Sequence, residues 1–256
     1  MHLALIPPFS QLSYVNGKPL QMMLPVGFKN EAYMRAYIDN KGASHVILDN
    51  GMFEGAGLTN EDLVQAALEY NVDEVVIPDV EGDMVASDEM TQEFLTHALD
   101  RCHDQIPFST MRVVQGSTWI GIREAINSLE GSNCDVLGFP RHMTRISTGM
   151  RIDAMEHVVR RYGKRYQLHM LGMSAEWPKE LMHAQRQFGP WLRGMDTSAP
   201  WKYAFARAML PGSYIERSQD YFNEHSDAFP KDLVEQNIAI LESWSLGMHE
   251  MRVNIK

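Results

Sequence analysis

A strand-like apolar run that ends in a polar residue and a turn recurs six times along this chain. The runs are HVILDNGMFE (45–54), EVVIPDVEGD (74–83), MRVVQGS (111–117), VLGFPRH (136–142), LHMLGMS (168–174) and LRGMDTSAPWK (192–202). Each run is followed by a helix-like segment, and this alternation is typical of an α/β fold with a parallel sheet. A chain of 256 residues with 45% hydrophobic content fits one TIM-like (β/α)8 barrel, so we expect a single domain over 1–256.

Apolar spacing predicts the helices. Thr59 precedes Asp62 in a near capping box, and Leu63, Ala66 and Tyr70 recur at the spacing of one helical face. Helices are also predicted over 119–130, 153–162, 178–188 and 201–209. A C-terminal helical extension from about 218 contains an amphipathic helix over 230–244, and SYIE at 213–216 is the candidate for the eighth strand.

Targeting, membrane and disulfide signals are weak. The segment MHLALIPPFS has no basic region and only a short apolar run, and no stretch approaches the roughly 18 apolar residues of a membrane span. Cys102 and Cys134 are the only cysteines and form no CxxC motif. We therefore expect a cytoplasmic protein with no membrane partner, reduced structural cysteines and no zinc-binding module.

The net charge of −10 argues mildly against a nucleic-acid partner, because Lys and Arg dominate such binding. Basic residues nevertheless gather near the strand ends, at Arg141, His142 and Arg145, and again over 151–165. Solvated helix faces and loops would explain these residues equally well, so both interpretations stay open.

The functional groups of a parallel barrel lie where strands end and βα loops begin. The residues at these positions are Asp49, Asp79, Gln115, Gly138, Gly172 and Asp196. Each carboxylate alone could be a helix cap or half of an ion pair. Several in one barrel mouth would repel one another unless donors, cations or a metal compensate, which indicates a functional cluster.

The succession DNGMFE, PD, VVQG, GFP, HMLGM and MDTSAPWK resembles the tRNA-guanine transglycosylases, whose motifs occur in the same order. The resemblance covers about residues 45–205 and depends on motif order and strand-end position rather than on any single motif. The chain is most similar to the short branch that inserts 7-deazaguanine bases into DNA in bacteria and their phages. If a phage encodes the chain, the resemblance implies that it acts in the cytoplasm of the host cell.

The resemblance implies a role for each matching residue. Asp196 would be the nucleophile that attacks the sugar C1′ carbon, and Asp49 the general acid and base. The remaining assignments are substrate binding by Asp79, Gln115, Gly138, Asn50, Met173 and Phe139, and nucleic-acid contact by Arg141, His142 and Lys202. Phe53 and Trp201 are further candidates for pocket walls, although packing in the core would explain them as well.

The same residue types suit base exchange on chemical grounds, independently of the resemblance to the family. Cleavage of an N-glycosidic bond passes through an oxocarbenium-like transition state that a carboxylate stabilises and can trap covalently. A guanine edge offers N–H donors for an Asp beside an O6 acceptor for an amide or backbone N–H. No cofactor or metal is implied. The cysteine-rich zinc module of the tRNA enzymes is missing from the sequence, which favours DNA over tRNA as the substrate.

Two other classes of function stay open. A metal-dependent α/β-barrel hydrolase or lyase for a small molecule could use the same carboxylates to hold Mg²⁺ or Mn²⁺. A base-binding or DNA-binding subunit that has lost catalysis would work with a helper protein, and a homodimer is equally compatible with the sequence.

Overall fold

The computed structural model describes residues 1–39, 41–55, 57–103, 105–174 and 177–247. In these ranges the strands are β1 (His2–Leu5), β2 (Leu20–Met23), β3 (His45–Leu48), β4 (Glu74–Val76), β5 (Ser109–Val113), β6 (Val136–Pro140), β7 (Gln167–Leu171) and β8 (Leu192–Thr197). All neighbouring pairs are parallel, in the order β1-β8-β7-β6-β5-β4-β3-β2. Because β1 also lies beside β2, the sheet forms a nearly closed barrel.

Helices cover the outside of this barrel. They are α1 (Glu31–Ile38), α2 (Asn60–Glu69), α3 (Met84–Arg101), α4 (Trp119–Asn127), α5 (Met143–Ile146), α6 (Met150–Tyr162), α7 (Trp177–Phe188), α8 (Ala199–Phe205) and α9 (Lys231–Ser245). From β3 to β8 every strand is followed by at least one helix, whereas only a 3-10 helix, Phe9–Val15, lies between β1 and β2. The single-domain TIM-like (β/α)8 fold expected from the sequence is therefore confirmed.

One strand prediction is wrong. Residues 213–216 are irregular, and the place beside β8 is taken by β1, where Ala4 pairs with Asp196. The place beside β3 is taken by β2, where Leu20 pairs with His45. Because β1 and β2 occupy the two ends of the sheet order, no strand is left for residues 213–216 to pair with. This segment runs instead across the carboxyl-terminal end of the barrel.

The helix predictions hold in their positions, with shifts of a few residues at the ends. Thr59 caps α2, since its Oγ1 accepts a hydrogen bond from the N–H of Asp62 at 3.1 Å. The C-terminal α9 packs on α7, α8 and β1. The fully buried Asn237 of α9 accepts from the N–H of Leu210 at 2.8 Å and donates to the Pro200 carbonyl at 3.2 Å, which ties α9 to the loop after α8.

Buried apolar side chains fill the barrel and the layer between strands and helices. Cys134 is buried and Cys102 is partly buried, and both are free. None of the helices in the described ranges has the length and apolar character needed to cross a membrane.

Candidate active site

The described residues enclose a cleft of about 350 Å³ at the carboxyl-terminal end of the barrel strands. Nine of the residues predicted from the sequence line it: Asp49, Asn50, Asp79, Gln115, Arg141, His142, Met173, Asp196 and Lys202. We call the strand-end residues Asp49, Asn50, Asp79, Gln115 and Asp196 the floor of the cleft. We call Phe53, Arg141, Lys202 and Arg217, which also line the cleft, its rim, together with Tyr214, which contacts Arg141 and Lys202.

Asp196 is anchored through one of its two carboxylate oxygens. It lies near the end of β8 and is 7% exposed. Its Oδ1 accepts a hydrogen bond from the N–H of Gly172 at 3.0 Å and lies 3.4 Å from Nε2 of His169. Gly172 has a φ of +70°, a conformation that side-chain-bearing residues rarely adopt. In the described part of the chain, Oδ2 has no hydrogen-bond partner and is available to a substrate in the cleft.

Asp49 lies at the end of β3 in a turn that supplies its own donor. Its Oδ2 accepts from the N–H of Gly51 at 2.9 Å, and Gly51 has a φ of +73°. Burial raises the pKa of Asp49 well above its usual range, and the nearby charges of Glu54, Asp196 and Asp79 add to the rise, which the Gly51 hydrogen bond only partly opposes. The Asp49 carboxyl is therefore suited to keep a proton at a pH where an ordinary aspartate has lost it, and to pass that proton to a substrate.

Asp79 is held by two amide side chains. Asn50 donates through Nδ2 to Asp79 Oδ1 at 2.8 Å and to the Ile77 carbonyl at 3.0 Å. Gln115 donates through Nε2 to Asp79 Oδ2, while its Oε1 accepts from the N–H of Gly82 at 2.9 Å. Burial raises the pKa of Asp79, and these two amide hydrogen bonds oppose the rise. The network fixes one carboxylate and one amide side by side, facing the cleft.

The structure does not bring two of the predicted residues, Gly138 and Phe139, to the cleft. Gly138 lies inside β6, where its carbonyl accepts from the N–H of Val114 at 2.9 Å. In a parallel ladder the N–H of the same residue points toward the same neighbouring strand, so it faces β5 rather than a ligand. A Cβ at Gly138 would lie 2.6 Å from the Leu171 side chain, so this glycine makes room for barrel packing. Phe139 is fully buried in the core.

The other two aromatic candidates differ from each other. Trp201 is fully buried and packs edge-to-face on Tyr14 at 5.7 Å between ring centroids, so it belongs to the core. Phe53 is 63% exposed at the cleft, with the guanidinium groups of Arg141 and Arg217 at 4.9 and 5.4 Å from its ring centroid. An exposed aromatic ring between two cations offers a stacking surface beside the floor.

Cations concentrate at the rim. Lys202 is 6% exposed, and its Nζ lies 4.7 Å from the centroid of the Tyr214 ring. Burial lowers the pKa of Lys202 to about 8, and the charges of Arg141 and Arg217 contribute to this. Arg141 donates to the Tyr214 hydroxyl, and Arg217 pairs with Glu54 at 2.7 Å. Among the described residues, no carboxylate forms a salt bridge with Arg141 or Lys202, so an anionic ligand would be stabilised here.

Some of these residues could not be identified from the sequence pattern. Tyr214 lies in the segment predicted as a strand, and Arg217 follows it, so the sequence pattern predicts neither Arg217 at the cleft nor Tyr214 beside Arg141 and Lys202. Arg151, counted in the sequence as part of a basic run, is fully buried instead. It forms a bidentate ion pair with Glu180 at 2.6 and 2.7 Å and donates a hydrogen bond to the Gly172 carbonyl at 2.8 Å. Arg151 therefore supports the turn that anchors Asp196.

No group of three or more His, Cys, Asp or Glu side chains within the described ranges is arranged to hold a metal ion. The carboxylates of the floor do not form such a group. The metal-dependent alternative thus has no ligand set in this part of the chain.

Comparison of the sequence with models of known protein families found no match, and neither did comparison with curated proteins. The resemblance to the tRNA-guanine transglycosylases stays a hypothesis that depends on the strand-end motifs.

Proposed function

We propose that this protein is a base-exchange transglycosylase. It replaces a guanine base in a nucleic acid, DNA in preference to tRNA, with a 7-deazaguanine base such as 7-cyano-7-deazaguanine. One observation carries the proposal: a single cleft joins an anchored carboxylate with an available oxygen, a second carboxyl of raised pKa, and a carboxylate–amide pair that complements a guanine edge.

The proposed reaction has two displacement steps at C1′. In the first, Oδ2 of Asp196 forms a bond to C1′ while the C1′–N9 bond breaks, and its electron pair leaves with the base. Asp49 in its acid form gives a proton to the departing guanine. In the second, Asp49 takes the N9 proton of the incoming 7-deazaguanine, N9 attacks C1′, and the Asp196 carboxylate is released. The two steps together leave the enzyme unchanged.

Base selection follows from the hydrogen-bond inventory of the floor. Each Asp79 oxygen accepts one protein hydrogen bond and retains capacity for a second, which suits the N1–H and the exocyclic amine of a guanine-like base. The second N–H of the Gln115 amide is suited to O6. Met173, which lines the cleft and is 3% exposed, supplies an apolar surface for the base.

A polynucleotide substrate is supported by the rim. The chain carries a net charge of −10, yet Arg141, Lys202 and Arg217 converge on one side of the cleft. Phosphates adjoining an extruded nucleotide would meet this local positive charge. Phe53 would offer a ring for base stacking, which is sequence-tolerant and suits a single-stranded or flipped nucleotide.

The test is a label-release assay. The protein is incubated with DNA or tRNA that contains radiolabelled guanine, in the presence of unlabelled 7-cyano-7-deazaguanine. We expect release from DNA by the wild type, none by Asp196→Ala, and wild-type release by the control Asp100→Ala, which changes an exposed aspartate on α3. Incorporation of the deazaguanine is read from the base content of the recovered nucleic acid.

The other outcomes separate the alternatives. Release from tRNA alone would keep the chemistry and change the substrate. Release that persists in Asp196→Ala would remove the nucleophile assignment. No release from either substrate by folded protein would overturn the proposal, and activity on small molecules would then be assayed with and without Mg²⁺ or Mn²⁺.

A further inference from the structure

Beneath Asp196, the barrel contains a polar cluster that the proposed reaction does not use. It consists of His169 on β7, Arg193 on β8, Glu74 on β4 and His45 on β3. His169 and Glu74 are fully buried. Buried charged groups are costly unless they are paired, so such a cluster inside a barrel otherwise filled by apolar side chains needs an explanation.

An irregularity in the sheet brings Arg193 into this cluster. Leu168 pairs with Leu192, but the next residue, His169, pairs with Gly194, so Arg193 is an extra residue on β8. Bulges of this kind redirect a side chain. The Arg193 guanidinium forms an ion pair with Glu74 and donates to Nδ1 of His169 at 3.2 Å. Gly194 is required by packing against the neighbouring strands, because a Cβ there would lie 2.5 Å from the Leu20 side chain and 2.8 Å from the His2 carbonyl.

Charge balance in the cluster favours a neutral His169. Burial lowers the pKa of His169, and the charge of Arg193 acts in the same direction, against the opposing effects of Asp196 and Glu74. Glu74 is kept ionised: burial alone would raise its pKa, but the hydrogen bond from His45 and the charge of Arg193 bring it below its usual value. The charged groups that face His169 are thus Asp196 above, and Arg193 and Glu74 below.

The tautomer of His169 follows from its neighbours. A guanidinium group has no acceptor, so the contact with Arg193 requires a lone pair on Nδ1. In a neutral imidazole the proton must then reside on Nε2, which lies 3.4 Å from Oδ1 of Asp196. Arg193 therefore makes His169 a donor toward Asp196.

We propose that His169 is a positioning residue for Asp196. The N–H of Gly172 holds Oδ1 by a hydrogen bond and the Nε2–H of His169 faces the same oxygen at 3.4 Å, so that Oδ2 is directed into the cleft, and Arg193 and Glu74 maintain the tautomer that this requires. The consequence for catalysis rests on the proposed function, whereas the tautomer and the contact with Asp196 do not.

The first test needs no substrate. Long-range ¹H–¹⁵N spectra of ¹⁵N-histidine-labelled protein, with His169 assigned by its loss in His169→Gln, report which ring nitrogen carries the proton. We expect Nε2–H and a bare Nδ1 at neutral pH, and a mixture of tautomers in Arg193→Met. A protonated Nδ1 in the wild type, whether as the other tautomer or as an imidazolium, would overturn the proposal.

The second test measures exchange kinetics in the 256-residue protein. We expect His169→Phe to lower kcat about 10- to 100-fold with little change in KM, as for a misplaced reacting group. His169→Gln retains a side-chain N–H donor and should recover part of this loss. The control is His157→Phe on α6, outside the cleft, which should leave kcat unchanged.

The two tests distinguish a failure of the inference from a failure of the proposed function. If the wild type exchanges the base and a folded His169→Phe variant has the same kcat, the positioning role is wrong. The proposed transglycosylase activity would then still stand. If the wild type exchanges no base at all, the proposed function fails, and the tautomer spectrum still decides the inference. If His169→Phe does not fold, the comparison of His169→Gln and Arg193→Met with the wild type replaces it.

Discussion

The floor and the rim of the cleft are built in different ways. On the floor, the carboxylates of Asp49, Asp79 and Asp196 each accept hydrogen bonds from backbone N–H groups or side-chain amides fixed at strand ends. On the rim, the charged ends of Lys202 and Arg141 lie against aromatic rings, and Arg141 also donates to the Tyr214 hydroxyl. Fixed donors define the position of an atom within a fraction of an ångström, whereas cation–aromatic contacts supply charge with less directional restraint. The floor thus suits chemistry on a base and the rim suits a larger anion.

The largest effect is expected on the floor, at Asp49. Asp49→Asn removes the proton donor and acceptor and should lower kcat by about 10²- to 10⁴-fold, the usual contribution of general acid–base catalysis. The same change should stabilise the fold near neutral pH. Because the folded-state pKa of Asp49 is raised, the wild type loses stability as pH rises from the ordinary carboxyl range through that raised pKa, and the Asn variant does not.

Both effects can be measured on one preparation. Urea unfolding between about pH 4 and pH 8 should give wild-type and variant curves that converge at the acid end and separate toward neutral pH. Asp100→Asn on the exposed face of α3 is the matched control. Full exchange activity in Asp49→Asn would show that Asp49 is not the general acid and base, whatever effect the substitution has on stability.

The next largest effect is expected behind the floor, at Arg151. Arg151→Met leaves Glu180 buried without its partner and removes a donor from the Gly172 carbonyl, so we expect a loss of about 3–5 kcal/mol in unfolding free energy. Arg160→Met is the control, because Arg160 is largely exposed in its pair with Glu156 and such pairs contribute about 0–1 kcal/mol. Equal losses in the two variants, by chemical denaturation, would mean that the buried pair does not support the turn.

The same contrast explains what could be predicted from the sequence. The floor was predicted residue by residue because each member directly follows an apolar run, and parallel strands bring their carboxyl ends together. The barrel fold followed from the same pattern. Gly138 was placed in the cleft because β6 was assumed to end earlier than it does. Phe139 was placed there because the pattern did not show that its side chain faces the helices.

The rim was predicted only in part. Arg141 and Lys202 lie close to strand ends, but Arg217 reaches the cleft, and Tyr214 reaches Arg141 and Lys202, along an irregular segment that has no periodicity. The strands β1 and β2 were missed because no α-helix separates them and because β1 pairs with β8, which lies far along the chain. The buried cluster around His169 depends on a one-residue bulge, which the apolar pattern of β8 does not reveal.

A smaller effect is expected at Gln115, which connects floor residues to the loop after β4. Gln115→Leu leaves one oxygen of Asp79 and the N–H of Gly82 without partners, and removes the donor proposed for O6. We expect a loss of about 1–3 kcal/mol in binding of a free 7-deazaguanine, measured by calorimetry. Gln65→Leu, which changes an exposed side chain on α2, should bind as the wild type does. Unchanged binding in Gln115→Leu would place the base elsewhere in the cleft.

The smallest effect is expected on the rim, at Lys202. Lys202→Met should weaken binding of a short guanine-containing single-stranded DNA about tenfold and reduce the magnitude of its salt dependence by about one ion, while free-base binding stays unchanged. Because burial lowers the pKa of Lys202 from 10.5 to about 8, the folded protein binds fewer protons than the unfolded chain between these values. Wild-type stability should therefore rise with pH across that window, and the Met variant should lose this rise.

The two readouts for Lys202 separate its charge from its packing. A weaker DNA affinity with an unchanged salt slope would mean that Lys202 shapes the rim without neutralising a phosphate. Loss of free-base binding together with DNA binding would mean that the rim and the floor act on the same part of the substrate, and the division between them would be wrong. A lower salt slope with intact base binding would assign the base to the floor and the polynucleotide backbone to the rim.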